Sequence, residues 1–334
     1  MKKYGVALIG CGQMGAVHIE HIYYKENVSI ECVCDVDKEK AEEFRRRYNA
    51  KRVETDFEKC IESPDVDIVI IATYPSTHLK ILEFCIKNKK HVICEKPIAT
   101  NYEDGKRVCE LVKENPDCKI LIGHILRHNA AYNKVRDMIK SGAIGFPVVM
   151  RMAQNHHTMR WHRYLNLINE TSPVVDCGVH YIDVMRWVTG EEVTDIFGIG
   201  ARTEADVPKG KYNYGLITMK FSGGSIGYYE VGWSNTMSSD NLKEFVGPKG
   251  RIKLIFKKDR VSNKEEGDLI EYYKYPEKKY EIINVDGDRR PADKQFDCLI
   301  DMIESDSPPN PSIDDVFRSF EIAIEADNII MKNL

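Results

Sequence analysis

Gly10-Cys11-Gly12-Gln13-Met14-Gly15 stands between the apolar run Val6-Ala7-Leu8-Ile9 and residues 14–24, where apolar positions recur three and four apart. That order predicts a strand, a glycine turn and a helix. In such a turn Gly10 permits the tight bend, Gly12 lets the backbone approach a ligand, and Gly15 lets the helix pack closely on the strand. The free amides at the helix start, reinforced by its dipole, suit a pyrophosphate. The glycine pattern alone is weak, and its place between strand and helix makes it informative.

Outward from this turn the same rhythm continues. Residues 28–34, 67–72, 91–94 and 120–122 are short apolar runs that read as strands, and 38–48, 76–89 and 102–114 have helical periodicity. Near-continuous hydrophobicity in the strands predicts burial on both faces, as in a parallel sheet covered by helices. Residues 1–123 are therefore expected to form a doubly wound Rossmann domain. After residue 124 the pattern changes: a helix over 130–140, a strand over 147–153, then strand-like segments over 193–283 joined by turns such as Ser222-Gly223-Gly224 and Pro248-Lys249-Gly250. Residues 124–334 are expected to form a second domain, an open, mostly antiparallel sheet with helices on one face. Two helices, over 291–304 and 313–331, would close it, parted by Ser307-Pro308-Pro309-Asn310-Pro311. The charged stretch 257–268 reads as a solvated hairpin.

The 334 residues are enough for two domains, and 48 Lys and Arg against 52 Asp and Glu give a net charge of −4, no broad cationic field for nucleic acid. No apolar run approaches the length of a membrane span, and the start, with glycines at 10, 12 and 15, reads as a strand and not a signal peptide. A cytoplasmic location is expected. The ten cysteines lack paired Cys-x-x-Cys clusters and sit mostly in apolar runs, which predicts buried free thiols, with neither a disulfide framework nor structural zinc.

Asp35 closes the second strand 20 residues after Gly15. A carboxylate there can accept hydrogen bonds from an adenosine ribose, although Asp35 and Asp37 are also good caps for the helix that follows. A 2′-phosphate about 4 Å away would meet roughly 4 kcal/mol of repulsion at an effective dielectric of 20. A charge-assisted hydrogen bond to a ribose hydroxyl is favourable by roughly 1.5–3 kcal/mol. NAD is expected in preference to NADP.

Three further motifs carry a resemblance. They are Ala72-Thr73-Tyr74-Pro75-Ser76-Thr77-His78, Glu95-Lys96-Pro97, and Asp176-Cys177-Gly178-Val179-His180-Tyr181-Ile182-Asp183. With the glycine turn, residues 123–127 and the Gly142-Ala143-Ile144-Gly145 turn, the chain resembles the glucose-fructose oxidoreductase and inositol dehydrogenase family, Gfo/Idh/MocA, nearly end to end. The resemblance implies an NAD(P)-dependent oxidoreductase of a sugar, cyclitol or related polyol, with Lys96, Asp176 and His180 at the catalytic positions. Thr171-Ser172-Pro173 departs from the small glycines many relatives carry there, which leaves the shape of the substrate pocket open.

The residues support the same chemistry on their own terms. Oxidising a secondary alcohol needs a base for the hydroxyl proton, and His180 suits that near neutral pH. Lys96, beyond a strand end, can stabilise the developing alkoxide. Asp176 can hydrogen-bond substrate or imidazole or simply cap the next helix, and Asp183 is a second partner for His180. The cofactor site is expected to draw on Gly10, Gly12, Gln13, Met14, Gly15, Asp35, Thr73, His78, Glu95 and Lys96. The substrate site is expected to use Lys96, Arg127, His157, Asp176 and His180. His78 is equally readable as a helix-entry residue. His156, His157 and His162 with Arg160, Trp161 and Arg163 read as a loop over the site, with no completed metal set. Tyr228, Tyr229 and Trp233 read as sheet-packing residues.

Two other functions remain open at this level. One is a glycoside hydrolase that oxidises and re-reduces its sugar on a recycled NAD; the other is a non-catalytic dinucleotide-binding regulator. An exposed sheet face also predicts a homodimer or homotetramer.

Overall fold

The computed structural model describes residues 2–158, 161–257 and 267–334. The chain divides into two compact units, Met1–Ile125 with Arg290–Phe317, and Leu126–Arg289 with Arg318–Leu334.

The first unit is built on a six-stranded parallel sheet in the order β3-β2-β1-β4-β5-β6. Its strands are β1 (Tyr4–Ile9), β2 (Val28–Cys34), β3 (Arg52–Glu54), β4 (Ile68–Ile71), β5 (His91–Cys94) and β6 (Ile120–Ile122). All six residues of β1 and all four of β4 are buried, as continuous apolar runs require when helices cover both faces. The helices are α1 (Gln13–Glu20), α2 (Lys38–Tyr48), α3 (Phe57–Ile61), α4 (His78–Lys87) and α5 (Tyr102–Glu114). The first helix ends at Glu20, short of the expected residue 24, with His21 as its C-cap. The short elements β3 and α3 were not expected, being too brief to show a period.

One disulfide corrects the expectation of free thiols. Cys32 on β2 is bonded to Cys60 on α3, both fully buried. Their 28-residue separation follows no motif, and only the packing of α3 against β2 brings them together. Eight other cysteines are free.

In the second unit an eight-stranded sheet runs β14-β13-β12-β11-β7-β10-β9-β8. The strands are β7 (Val149–His157), β8 (Val193–Ala201), β9 (Tyr214–Phe221), β10 (Ile226–Ser234), β11 (Lys243–Gly247), β12 (Gly250–Ile255), β13 (Asp268–Lys274) and β14 (Lys279–Val285). All neighbours are antiparallel except β7 and β10, which run parallel. The helices of this half are α6 (Ala130–Lys140), α7 (Trp161–Glu170), α8 (Pro173–Asp176) and α9 (Gly178–Thr189), with most of α11 (Ile313–Lys332), whereas α10 (Ala292–Ser305) comes between α9 and α11 in the chain. Gly198 and Gly200 of β8 give α11 its close approach, since a Cβ at either would lie within 2.8 Å of Ile330. Most of the expected 257–268 hairpin, residues 258–266, lies outside the described residues.

The helix α10 belongs with the first unit. Phe296, Leu299, Ile300 and Met302 join Tyr4, Val6, Leu8, Ile19 and Ile22 in one core. Lys25 pairs with Asp297 at 2.7 Å, and the Tyr4 hydroxyl donates to Glu304 at 3.0 Å. A cut after residue 123 therefore does not separate the two units cleanly, because apolar burial against β1 and α1 brings a C-terminal helix back.

Candidate active site

The sheet order of the first unit reverses between β1 and β4, the switch point at which doubly wound sheets take ligands. The Gly10–Gly15 turn crosses that point. Gly10 has φ +100°, and a Cβ on it would lie 2.6 Å from the Ala72 carbonyl oxygen, so the turn and the end of β4 touch. A Cβ at Gly15 would lie 2.1 Å from the Gly10 carbonyl oxygen. Gly12 is different: a Cβ there meets nothing within 4 Å. Gly12 is also the N-cap of α1 and supplies no side chain to its first amides. Open space before uncapped amides is the place for a pyrophosphate.

Asp35 is half-buried at the end of β2. Its Oδ2 accepts from the Cys11 amide at 2.8 Å and its Oδ1 from the Asp37 amide at 2.9 Å. Capping of α2 falls to Asp37, whose side chain accepts from the Glu39 and Lys40 amides. The two roles foreseen for this pair are thus divided, and the Asp35 carboxylate keeps lone pairs for a ribose. Gly12, the α1 amides and Asp35 fit a dinucleotide.

Thr73 is half-buried just after β4, its hydroxyl 2.7 Å from that of Thr77. Two further expected cofactor residues are buried. His78 is completely buried, with Nδ1 3.0 Å from the Pro97 carbonyl oxygen and Nε2 3.2 Å from that of Thr73. Burial pushes its pKa down despite those two carbonyls, so a neutral ring donates to one at a time. His78 ties the segment after β4 to the segment after β5. Glu95 is buried as well, with Oε1 2.6 Å from Nε2 of His18 on α1. Burial raises the Glu95 pKa, but His18 and then Lys96 outweigh it and hold the carboxyl below its usual range. A Cβ at Gly123 would lie 3.1 Å from this carboxyl group, which accounts for glycine there. Lys96 itself is half-buried at the carboxyl end of β5, before a cis bond to Pro97.

In the second unit Ser172 caps α8, accepting from the Val175 amide at 3.1 Å, with Pro173 at the first helical position. The Thr171-Ser172-Pro173 departure therefore starts a helix. Asp176 ends α8, and Cys177 forms the junction to α9 with no side-chain cap. Asp176 is thus not the cap of α9. His180 lies in the first turn of α9, half-buried. Beneath it Tyr181 stacks on Tyr229, ring centres 4.8 Å apart, and a Cβ at Gly178 would be 3.3 Å from the Tyr229 ring.

Arg127 and Asp183 are taken up by each other, through Nε to Oδ2 at 2.9 Å and Nη2 to Oδ1 at 2.7 Å, both buried. Arg127 thereby anchors α9 through Asp183. The expected loop at 156–163 is also corrected. His156 and His157 finish β7, and Trp161, His162 and Arg163 begin α7; Arg160 lies outside the described residues. His156 Nδ1 is 2.8 Å from the Tyr164 hydroxyl, whereas His157 is exposed. Trp233 and Tyr229 are fully buried in the sheet, as packing residues should be.

Residues 4–124 match the family model described as the oxidoreductase family, NAD-binding Rossmann fold, and 132–253 match the Gfo/Idh/MocA C-terminal domain. The chain belongs to the Gfo/Idh/MocA family. Its first unit is that family's NAD-binding Rossmann domain. Among curated relatives, a myo-inositol 2-dehydrogenase of Thermotoga maritima is 26% identical over 249 residues, covering 74% of each chain. An inositol 2-dehydrogenase of Saccharopolyspora erythraea is 30% identical over 235 residues, covering 68% of this chain and 66% of its own. The fold matches scyllo-inositol dehydrogenase from Lactobacillus casei, solved with NAD(H) and scyllo-inositol, at a TM-score of 0.80 and 20% identity, over 99% and 98% of the chains.

Sequence reasoning missed His18, the partner of Glu95, and Lys243, which lies under Tyr181. Neither stands in a motif; a lysine at an inward position of β11 is a signal only once the strand register is known.

Proposed function

We propose that this family member is an NAD-dependent dehydrogenase of a cyclitol, with inositols as the substrate class. The observation that carries the proposal is the half-buried His180 in the first turn of α9, four residues after Asp176 at the end of α8. The relatives named as inositol 2-dehydrogenases support the substrate class. NAD, when bound, supplies the hydride acceptor. His180 takes the hydroxyl proton, Asp176 orients the imidazole or a neighbouring hydroxyl, and the Lys96 ammonium stabilises the alkoxide as the proton leaves. The glycine turn and Asp35 hold the dinucleotide.

Incubation with NAD and a panel of inositols, aldoses, amino sugars and uronic acids tests this reading. NADH should accumulate with at least one inositol. Release of an aglycone from glycosides without net NADH would assign the redox-elimination hydrolase instead, and NADH binding without turnover of any panel member would assign the regulator.

The outer face of the eight-stranded sheet supports self-association as a homodimer or homotetramer. Phe197, Ile199, Ile226, Tyr280 and Ile282 are exposed on it. Light scattering should give a dimer or tetramer, and Phe197→Glu should lower the mass. A cytoplasmic location, which the eight free thiols support and the Cys32–Cys60 disulfide weighs against, is checked by cell fractionation.

A further inference from the structure

Lys243 is completely buried on β11, an unusual place for an ammonium. Its Nζ donates to the carbonyl oxygens of Ala153 at 2.6 Å and Leu242 at 3.0 Å, and lies 4.4 Å from the centre of the Tyr181 ring. Lys243 pairs with Met152 of β7, and Met152 pairs on its other side with Tyr229 of β10. Lys243 and Tyr229 therefore flank one residue on one face of the sheet, and Tyr181 lies over both. Tyr181 is the residue after His180.

We propose that Lys243 is a positioning residue for the reaction: its buried ammonium holds Tyr181 and Tyr229 beneath the head of α9 and biases the adjacent His180 towards the neutral, proton-accepting imidazole. This rests on the reading of His180 as the base. Among the described residues, the titratable and charged groups on the elements about α9 include Asp176 and Cys177 from the α8 junction, Tyr229 from β10, Tyr132 and Arg136 from α6, Arg127 from the 125–128 turn, and Lys243 from β11. On α9 itself lie Tyr181 and Asp183. Asp183 and Arg127 compensate each other, and Arg136 lies over the ring of Trp187. Burial pushes the Tyr132 and Tyr229 hydroxyls up, so both stay neutral. Negative charge near an imidazole favours imidazolium, and a cation held in the low-dielectric interior opposes it.

The test is an NMR titration of His180 in the full chain, its resonance assigned with His180→Asn, for wild type, Lys243→Met and Lys243→Arg. The Met variant should raise the His180 midpoint by about one pH unit, and the Arg variant should leave it nearly in place. The acidic limb of kcat/KM should move with it. An unmoved midpoint in a Met variant that keeps native circular dichroism and NADH binding overturns the proposal. Lys243→Gln serves the same comparison if the Met variant does not fold. Loss of turnover in His180→Ala with an unmoved midpoint in Lys243→Met removes Lys243 alone. A moved midpoint with normal turnover in His180→Ala removes the base assignment instead.

Discussion

Arg127 and Asp183 form a buried two-point ion pair, 2.9 and 2.7 Å, that fastens the start of the second unit to the middle of α9. Asp183 also accepts from Ser319 of α11 at 3.3 Å, and the guanidinium lies over the ring of Trp187. Removing one partner strands the other's charge, so Arg127→Ala or Asp183→Ala should each cost about 3–5 kcal/mol in urea unfolding. The double variant Arg127→Met with Asp183→Leu should recover much of that loss. Equal destabilisation by single and double variants would contradict the pairing.

Asp35 bears on cofactor choice because backbone amides fix its carboxylate. Asp35→Ser should lower the ratio of kcat/KM for NAD over NADP by about a hundredfold or more, since roughly 4 kcal/mol of repulsion per charge pair disappears. An unchanged ratio would take the carboxylate away from the ribose.

Lys96→Ala and His180→Ala should each lower turnover by about 10²–10⁴-fold while NADH fluorescence still reports binding. Near-normal turnover in both would discard their catalytic roles.

Gly12 and Gly15 should part company on substitution. Gly12→Ala places a methyl in open space, so Tm should hold while NADH affinity falls at least about tenfold. Gly15→Ala drives a Cβ to 2.1 Å from the Gly10 carbonyl oxygen, so Tm itself should drop. Calorimetry alongside NADH titration separates the two.

Burial holds the pKa values of His78 and His91 below the ordinary 6.5, with the Lys2 charge adding to the effect at His91. Below 6.5 the unfolded chain binds protons that these folded rings resist. Stability should therefore fall as pH drops from 6.5 towards their folded values, and His78→Asn should flatten that slope in urea titrations. The Glu95 carboxyl, held below its ordinary 4.5, contributes stability that is lost only as pH falls beneath that value.

The nucleotide half was readable because its signals are local. A glycine turn between a strand and a helix, and an acid at the end of β2, need only neighbours in sequence to be interpreted. Asp176 and His180 were likewise visible as a spaced pair. The buried partners of Arg127 and Glu95 were hidden because a charged residue in a motif looks the same with or without such a counterpart. Asp183 lies 56 residues from Arg127, and His18 lies 77 from Glu95. The two carbonyls about His78 were hidden for the same reason, being supplied by different loops. At 156–163 the close-set histidines masked a strand end and a helix start, and no turn residue marked the boundary.

The return of α10 to the first sheet has a consequence for biosynthesis. A ribosome must emit nearly the whole polypeptide before Phe296 and Leu299 emerge to cover β1 and α1. The nascent nucleotide half therefore spends most of translation with one flank bare, and an expression fragment stopping near residue 125 would carry the same sticky surface for good.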